Sequence, residues 1–114
     1  MKRKFSLKER HMFTRAFKRG KFTAGRLIVL HVLRSTKKDA DTVVGISVSA
    51  KHGKAVKRSR VKRLIRESMR CLHGRVGSGF VFVIAAREPC YHANVKCCDV
   101  YRELEWALRK QGLL

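Results

Sequence analysis

Apolar residues recur along this chain with two different spacings, and these spacings predict where its helices and strands lie. The first apolar run, at residues 12–17, has helical spacing. Upstream of it, Ser6 and Glu9 have the spacing of a capping box, in which each side chain accepts a hydrogen bond from the other residue's backbone N–H. Gly20 suits the position just beyond the end of a helix. We therefore predict a helix over residues 7–19.

Three runs rich in β-branched and aromatic residues predict strands. Residues 25–34 are apolar at nearly every position, which is typical of a strand covered on both faces, and His31 is the polar exception. A polar, turn-like segment separates this run from residues 42–49. We predict that these two strands are antiparallel neighbours. A third strand, at residues 80–84, follows a glycine-rich segment that should end the preceding helix.

Two further helical patterns complete the chain. The first begins in the basic segment 51–67, and the second covers residues 94–110 with Asn94 as its predicted N-cap. At about 100° per residue, each pattern has one inner side. The inner positions are Val61, Leu64, Ile65, Ser68 and Leu72 in the first helix, and Val100, Tyr101, Leu104, Ala107 and Leu108 in the second.

The order helix, strand, strand, helix, strand, helix predicts an α+β fold, a two-layer sandwich in which helices pack against one sheet. The chain has 114 residues and 45% hydrophobic content, enough for one domain with a real core. We find no linker, repeat or low-complexity segment. The expected organisation is a single domain over residues 1–114.

The charge of the chain narrows the class of partner. It has 28 Lys and Arg against 8 Asp and Glu, which gives a formal net charge of +20. The mutual repulsion of these positive charges favours a polyanionic partner such as nucleic acid. The cations are spread along the chain instead of flanking an apolar anchor, and no apolar run approaches the ~20 residues that span a bilayer. We therefore expect no membrane contact and a cytoplasmic protein.

The cations of the basic segment are ordered on the outer side of its predicted helix. Ser59 falls in the middle of this side, and Glu67 is the nearby acidic residue. Guanidinium groups donate two parallel hydrogen bonds to phosphate, so an Arg-rich face favours RNA or DNA over a merely solvated surface. The cations that spread over this outer side are Arg58, Lys62, Arg63, Arg66 and Arg70.

The acidic and sulfur-containing residues do not form a recognisable catalytic or metal site. The eight carboxylates are scattered, and their closest pair, Asp39 and Asp41, falls in a predicted turn. The four cysteines include no C-x-x-C pair, so we expect reduced thiols packed as small hydrophobic side chains. His92 lies near Cys90 but lacks a second pair of ligands. No protein-bound metal is predicted.

The residues 51–67, with 44–49 before them and 80–89 after them, closely resemble the bacterial ribonuclease P protein subunit, and the resemblance covers nearly the whole chain. The central motif of that family is typically Ala-Val-x-Arg-Asn-Arg-x-Lys-Arg-x-x-Arg. Ser59 stands where the family usually has Asn, and its hydroxyl can still donate and accept a hydrogen bond on a shorter arm. The matching positions are Ala55, Val56, Arg58, Arg60, Lys62, Arg63 and Arg66.

The resemblance implies a subunit of a ribonucleoprotein that removes the 5′ leader from precursor tRNA. It implies that the RNA subunit and its Mg²⁺ ions perform the hydrolysis, while one protein per RNA binds that RNA and the leader and broadens substrate use. No catalytic residue and no protein-bound cofactor are then expected in the protein. The residues expected to bind the RNA subunit are Lys51, Lys54, Arg58, Ser59, Arg60, Lys62, Arg63 and Arg66.

The resemblance also implies a cleft between the first helix and the sheet that holds the single-stranded leader. Phe13 and Phe17 match its aromatic positions, and His31 stands where relatives often carry Tyr. Such rings can stack on bases, although packing within the core is an alternative for each of them. The implied fold is similar to the second domain of ribosomal protein S5, with a left-handed β-α-β crossover around the basic helix, where the general rule gives the right hand.

Two other functions remain open from the residues alone. A small structural RNA-binding protein of the ribosomal type would explain the charge, but it would not explain the ordered motif at residues 55–66. A self-sufficient nuclease would require clustered acidic ligands, which the sequence does not provide.

Overall fold

The structure, a computed structural model, describes residue 18, residues 20–34 and residues 42–114. Four strands form one mixed sheet in the order β1-β2-β4-β3. β2 is antiparallel to both β1 and β4, whereas β3 is parallel to β4. The strands are β1 (Lys21–Ala24), β2 (Ile28–Arg34), β3 (Val43–Ser47) and β4 (Phe80–Ala86).

Within residues 20–34 and 42–114, two α-helices and two short 3₁₀ turns connect and cover the sheet. The helices are α1 (Ala55–His73), which is the predicted basic helix, and α2 (Cys97–Lys110). The 3₁₀ turns are Ala50–His52 and Glu88–Tyr91. These elements confirm the predicted α+β class. The predicted helix at residues 7–19 lies outside the described residues.

The prediction of the sheet was wrong in two respects. It missed β1, a four-residue edge strand in which only Thr23 is buried, so the strand carries no apolar run for a pattern to detect. It also made β2 and β3 neighbours, whereas β4 lies between them. The physical reason is burial: four successive residues of β4, from Val81 to Ile84, are buried, and such a strand is most stable in the centre of a sheet.

β3, α1 and β4 form a β-α-β unit that joins adjacent parallel strands. Such a crossover around the basic helix is what the family resemblance implied. Its left hand stays a prediction. The unit fixes one side of α1 against the sheet and leaves its other side facing outward.

The core lies between the sheet and the two helices. Alternate residues of β2 point into it, and Ile28 and Leu30 are fully buried there. The inner side of α1 was predicted well, except that Leu64 is only half-buried and Met69 is fully buried. Ser68 is satisfied in the core because its hydroxyl donates to the carbonyl of Leu64 at 2.8 Å. Burial of these side chains fixes the orientation of α1.

The boundaries of α2 differ from the predicted ones at the start. The helix begins at Cys97, with Lys96 as the N-cap, so the prediction of Asn94 at that position was wrong. Asp99 explains the shift, because its carboxylate accepts a hydrogen bond from the backbone N–H of Lys96 at 2.8 Å. This bond gives the N-cap N–H an acceptor at the start of the helix. The predicted inner residues of α2 are buried except Tyr101, which is half-buried.

The four cysteines are free thiols in three different environments. Cys90 is fully buried, and burial raises the pKa of its thiol to about 11. Cys97 is half-buried against α1, whereas Cys71 and Cys98 are exposed. The prediction that all four pack as small hydrophobic side chains was therefore wrong for Cys71 and Cys98, which lie on the outer surfaces of the helices.

Candidate nucleic-acid interface

The outward side of α1 is a cationic surface, which we call the basic face. Ser59 lies within it and is exposed, as predicted. Arg58 was also predicted on this side, but it is half-buried and its Nε atom is inaccessible, because it lies three residues before the buried Val61 and close to the inner side of the helix. The cationic members of the basic face, all exposed, are Lys62, Arg63, Arg66 and Arg70.

Acidic side chains do little to neutralise the basic face. Between described residues, one ion pair involves it, that of Glu67 with Arg70 at 3.4 Å, and both partners are substantially exposed. An exposed pair of this kind contributes about 0–1 kcal/mol. The other ion pair between described residues joins Arg75 to Glu105, away from this face. The repulsion among these cations favours binding of an external polyanion.

The first turn of α1 adds a second positive element. No acidic residue lies in this turn, and its N-cap, Lys54, makes no side-chain capping bond. The helix dipole places partial positive charge at the same end, so the positive charges of Lys51 and Lys54 destabilise the free protein there. The same positive charges favour binding of a phosphate. The N-terminal end of α1 therefore has the chemistry of a phosphate-binding site.

Tyr91 positions the chain that leads into α1. Its hydroxyl oxygen accepts a hydrogen bond from the backbone N–H of Ser49 at 2.9 Å, and its ring centroid lies 5.5 Å from that of His52. Ser49 in turn accepts a hydrogen bond from the backbone N–H of Lys51 at 3.2 Å. The buried Tyr91 thus holds the lysine-bearing turn against the start of the basic face.

Arg60 differs from the other predicted RNA-binding residues, because its guanidinium is engaged within the protein. It donates hydrogen bonds to the backbone carbonyls of His92 at 3.2 Å and Ala93 at 3.1 Å, and also to the carbonyl of Val95. Arg60 therefore joins α1 to the segment that precedes α2. An additional contact of Arg60 with RNA stays a prediction.

The sheet face that points away from α1 and α2 carries a second group of candidate residues. His31 of β2 is paired with Phe22 of β1 on one side and with Val83 of β4 on the other. Residues paired across a sheet share a face, and the rings of Phe22 and His31 lie 5.9 Å apart. Burial lowers the pKa of His31, which favours its neutral imidazole.

Phe22 is a candidate residue that sequence reasoning missed. Its side chain is 67% exposed, compared with 43% for Trp106. It lies beside the predicted leader contact His31. The available signal was alternation: Phe22 stands between polar Lys21 and Thr23, in a short segment bounded by glycines. The predicted leader contacts Phe13 and Phe17 lie outside the described residues.

Carboxylates and other potential ligands do not gather into a metal centre in the part of the chain that the structure describes. No group of three or more His, Cys, Asp and Glu residues there could hold a metal ion. The pair Asp39 and Asp41 lies outside the described residues. Four of the described carboxylates have structural partners, namely Glu67, Asp99, Glu103 and Glu105.

The family model for ribonuclease P matches residues 1–112 of the chain. The chain belongs to the ribonuclease P protein family. It is 37% identical over 113 residues to the ribonuclease P protein component of Bacillus cereus strain Q1, covering 99% of this chain and 96% of the relative. It is 40% identical over 114 residues to that of Clostridium beijerinckii, covering 96% and 90% respectively.

Solved structures of ribonuclease P proteins have the same fold. The Staphylococcus aureus protein superposes with a TM-score of 0.82 at 28% identity, covering 96% of each chain. The Thermotoga maritima protein gives a TM-score of 0.78 at 28% identity, covering 91% of this chain and 96% of that protein. These comparisons confirm the predicted family. The chain is a protein subunit of ribonuclease P, and its process is tRNA maturation. Within the described residues, no helix is long and apolar enough to cross a membrane.

Proposed function

We propose that this ribonuclease P protein binds the RNA subunit with the basic face and the N-terminal end of α1, and binds the 5′ leader of precursor tRNA with the opposite face of the sheet. The observation that carries the proposal is the placement of α1. Its inner side is buried in the core, while on its outer side Arg70 is the one cation that pairs with an acidic side chain among the described residues. One protein would then contact one RNA subunit and one substrate at the same time.

In this ribonucleoprotein, the RNA subunit and its Mg²⁺ ions would perform the hydrolysis. The roles of the carboxylates in this chain support that assignment. Glu103 accepts three backbone hydrogen bonds, Asp99 caps α2, and Glu105 binds Arg75. Side chains committed to such bonds are poorly placed to hold the paired metal ions of a protein nuclease. The protein contributes binding and orientation of RNA, in the cytoplasm where tRNA matures.

The leader-binding part of the proposal rests on the pair Phe22 and His31. Exposed aromatic rings on a sheet can stack on successive bases without selecting their identity, which suits leaders of different sequence. Phe13 and Phe17, from the predicted N-terminal helix, would supply further rings.

The experiment compares two substrates bound by the assembled holoenzyme, one precursor tRNA with a leader and one mature tRNA without it. Phe22→Ala should weaken precursor binding by roughly fivefold or more, because a stacked base contributes about 1–3 kcal/mol, and it should leave mature tRNA binding unchanged. Lys21→Ala is the matched control, since its side chain points to the other face of the same strand. An equal loss for both substrates would refute the leader assignment.

A further inference from the structure

Trp106 is an aromatic residue that neither proposed RNA-binding surface uses. It lies on α2, its side chain is 43% exposed, and it is the one Trp of the chain. Its ring borders a groove of about 410 Å³ between α2 and the turn that joins β1 to β2. Arg26 and Leu27 of the turn also line this groove. An exposed indole beside a groove of this size is available to a flat ligand.

Cations surround this indole. The ammonium of Lys110 lies 5.1 Å from the centroid of the Trp106 ring, and the exposed Arg26 and Arg102 line the groove itself. The acidic side chains in the groove have structural partners. Glu103 accepts the backbone N–H groups of the turn, at 2.7 Å from Arg26, 2.8 Å from Leu27 and 2.7 Å from Ile28, and Asp99 caps α2. The groups free to meet a ligand are therefore the ring and the cations.

A second groove, of about 420 Å³, continues from the first. The two share Arg26 and Asp99, and the second extends along His92 and Val95. The carbonyls of His92 and Val95 are two of the three that accept hydrogen bonds from Arg60 of α1. Together the two grooves form a surface that extends from Trp106 to the segment before α2. Its length suits an extended chain better than a compact small molecule.

We propose that this groove binds a single-stranded RNA segment, with one base stacked on Trp106 and adjacent phosphates held by Arg26 and Arg102. An aromatic platform beside cations that follow a groove is the arrangement with which proteins bind single strands of any sequence. Trp gives the largest stacking surface of the side chains, and Arg pairs with phosphate through two parallel bonds. This site is separate from the basic face and from the sheet face of Phe22, and it does not depend on the proposed leader contact.

Intrinsic fluorescence tests the site directly, because Trp106 is the single Trp and a stacked base quenches indole emission. The free full-length chain is titrated with a short oligouridylate and with an abasic ribose-phosphate oligomer of equal length and charge. The base-containing oligomer should quench the emission, and the abasic oligomer should not. Equal quenching by both, or none by either, would overturn the proposal.

Variants then test the cations. Replacing Arg26 and Arg102 together with Ala should raise the oligonucleotide concentration for half-quenching by about fivefold or more, since two phosphate contacts are lost. Lys21→Ala, which removes an exposed cation at the far end of β1, should leave that concentration unchanged. An unchanged value in the double variant would contradict the phosphate contacts. An equal emission change with polyglutamate of matched charge would instead indicate an acidic protein partner and would overturn the RNA assignment.

Discussion

A Cβ atom at Gly25 would lie 2.5 Å from the Cδ atom of Glu103, so the turn between β1 and β2 approaches α2 as closely as a glycine allows. This approach brings the Glu103 carboxylate onto three successive backbone N–H groups of the turn. The contact joins the edge of the sheet to α2. It also forms one wall of the groove beside Trp106.

Loss of this carboxylate should destabilise the fold. Glu103→Ala leaves three backbone donors without their acceptor, two of them partly buried, and we expect the free energy of unfolding to fall by about 2–4 kcal/mol. Glu105→Ala, on the same helix, removes a carboxylate that is bound to exposed Arg75 and should cost much less. Urea denaturation measures both, and similar losses would contradict the role given to Glu103.

We expect Arg60 to stabilise the fold in addition to its predicted binding of RNA. Arg60→Ala removes the hydrogen bonds to the carbonyls of His92, Ala93 and Val95, and we expect a loss of about 1–2 kcal/mol in thermal or urea unfolding. Arg60→Lys keeps the charge but cannot donate to all three carbonyls in the same geometry. Native stability in Arg60→Lys would contradict this account.

Arg66 should affect RNA binding without affecting the fold, because it is exposed on the basic face. Arg66→Ala should weaken binding of the RNA subunit and reduce the slope of log affinity against log salt by about one. The same measurement on the Arg58→Ala, Arg60→Ala double variant should also give a flatter slope. A slope equal to that of the native protein in the Arg66 variant would exclude its phosphate contact, and an unfolding curve controls for stability.

Thiol labelling should follow the burial of the cysteines. A maleimide reagent should modify the exposed Cys71 and Cys98 in the native protein, whereas Cys90 should react only after denaturation. The reason is twofold: Cys90 is fully buried, and burial raises its pKa to about 11, so little thiolate forms near neutral pH. Peptide mass spectrometry identifies the sites. Rapid labelling of Cys90 before Cys71 would contradict the packing of α1 and α2.

Side-chain periodicity predicted the elements that bury a full apolar face. In α1, the buried Val61 and Ile65 are four residues apart, as expected for one face of a helix. In β4, Phe82 belongs to an unbroken apolar run that is buried. The same signal failed for β1, where Thr23 is the single buried residue, and the omission of β1 hid Phe22 from the candidate site. The strand order could not be predicted from local apolar spacing either, because the position of β4 between β2 and β3 depends on contacts between distant segments.

The candidate site was predictable where it is contiguous in sequence and unpredictable where it is assembled by the fold. The basic face lies within α1, so helical spacing alone placed Ser59 and Arg66 on its outer side. By contrast, the bonds of Arg60 reach residues 92–95, more than 30 positions along the chain. The groove at Trp106 likewise combines α2 with the turn at Arg26.

The most direct test of the central claim is cleavage of precursor tRNA by a matching ribonuclease P RNA at low Mg²⁺, measured with and without this protein. The proposed binding of both RNA partners predicts strong stimulation by the protein and no cleavage by the protein alone. Absence of stimulation by the correctly folded protein, or cleavage of precursor tRNA without the RNA subunit, would contradict the account.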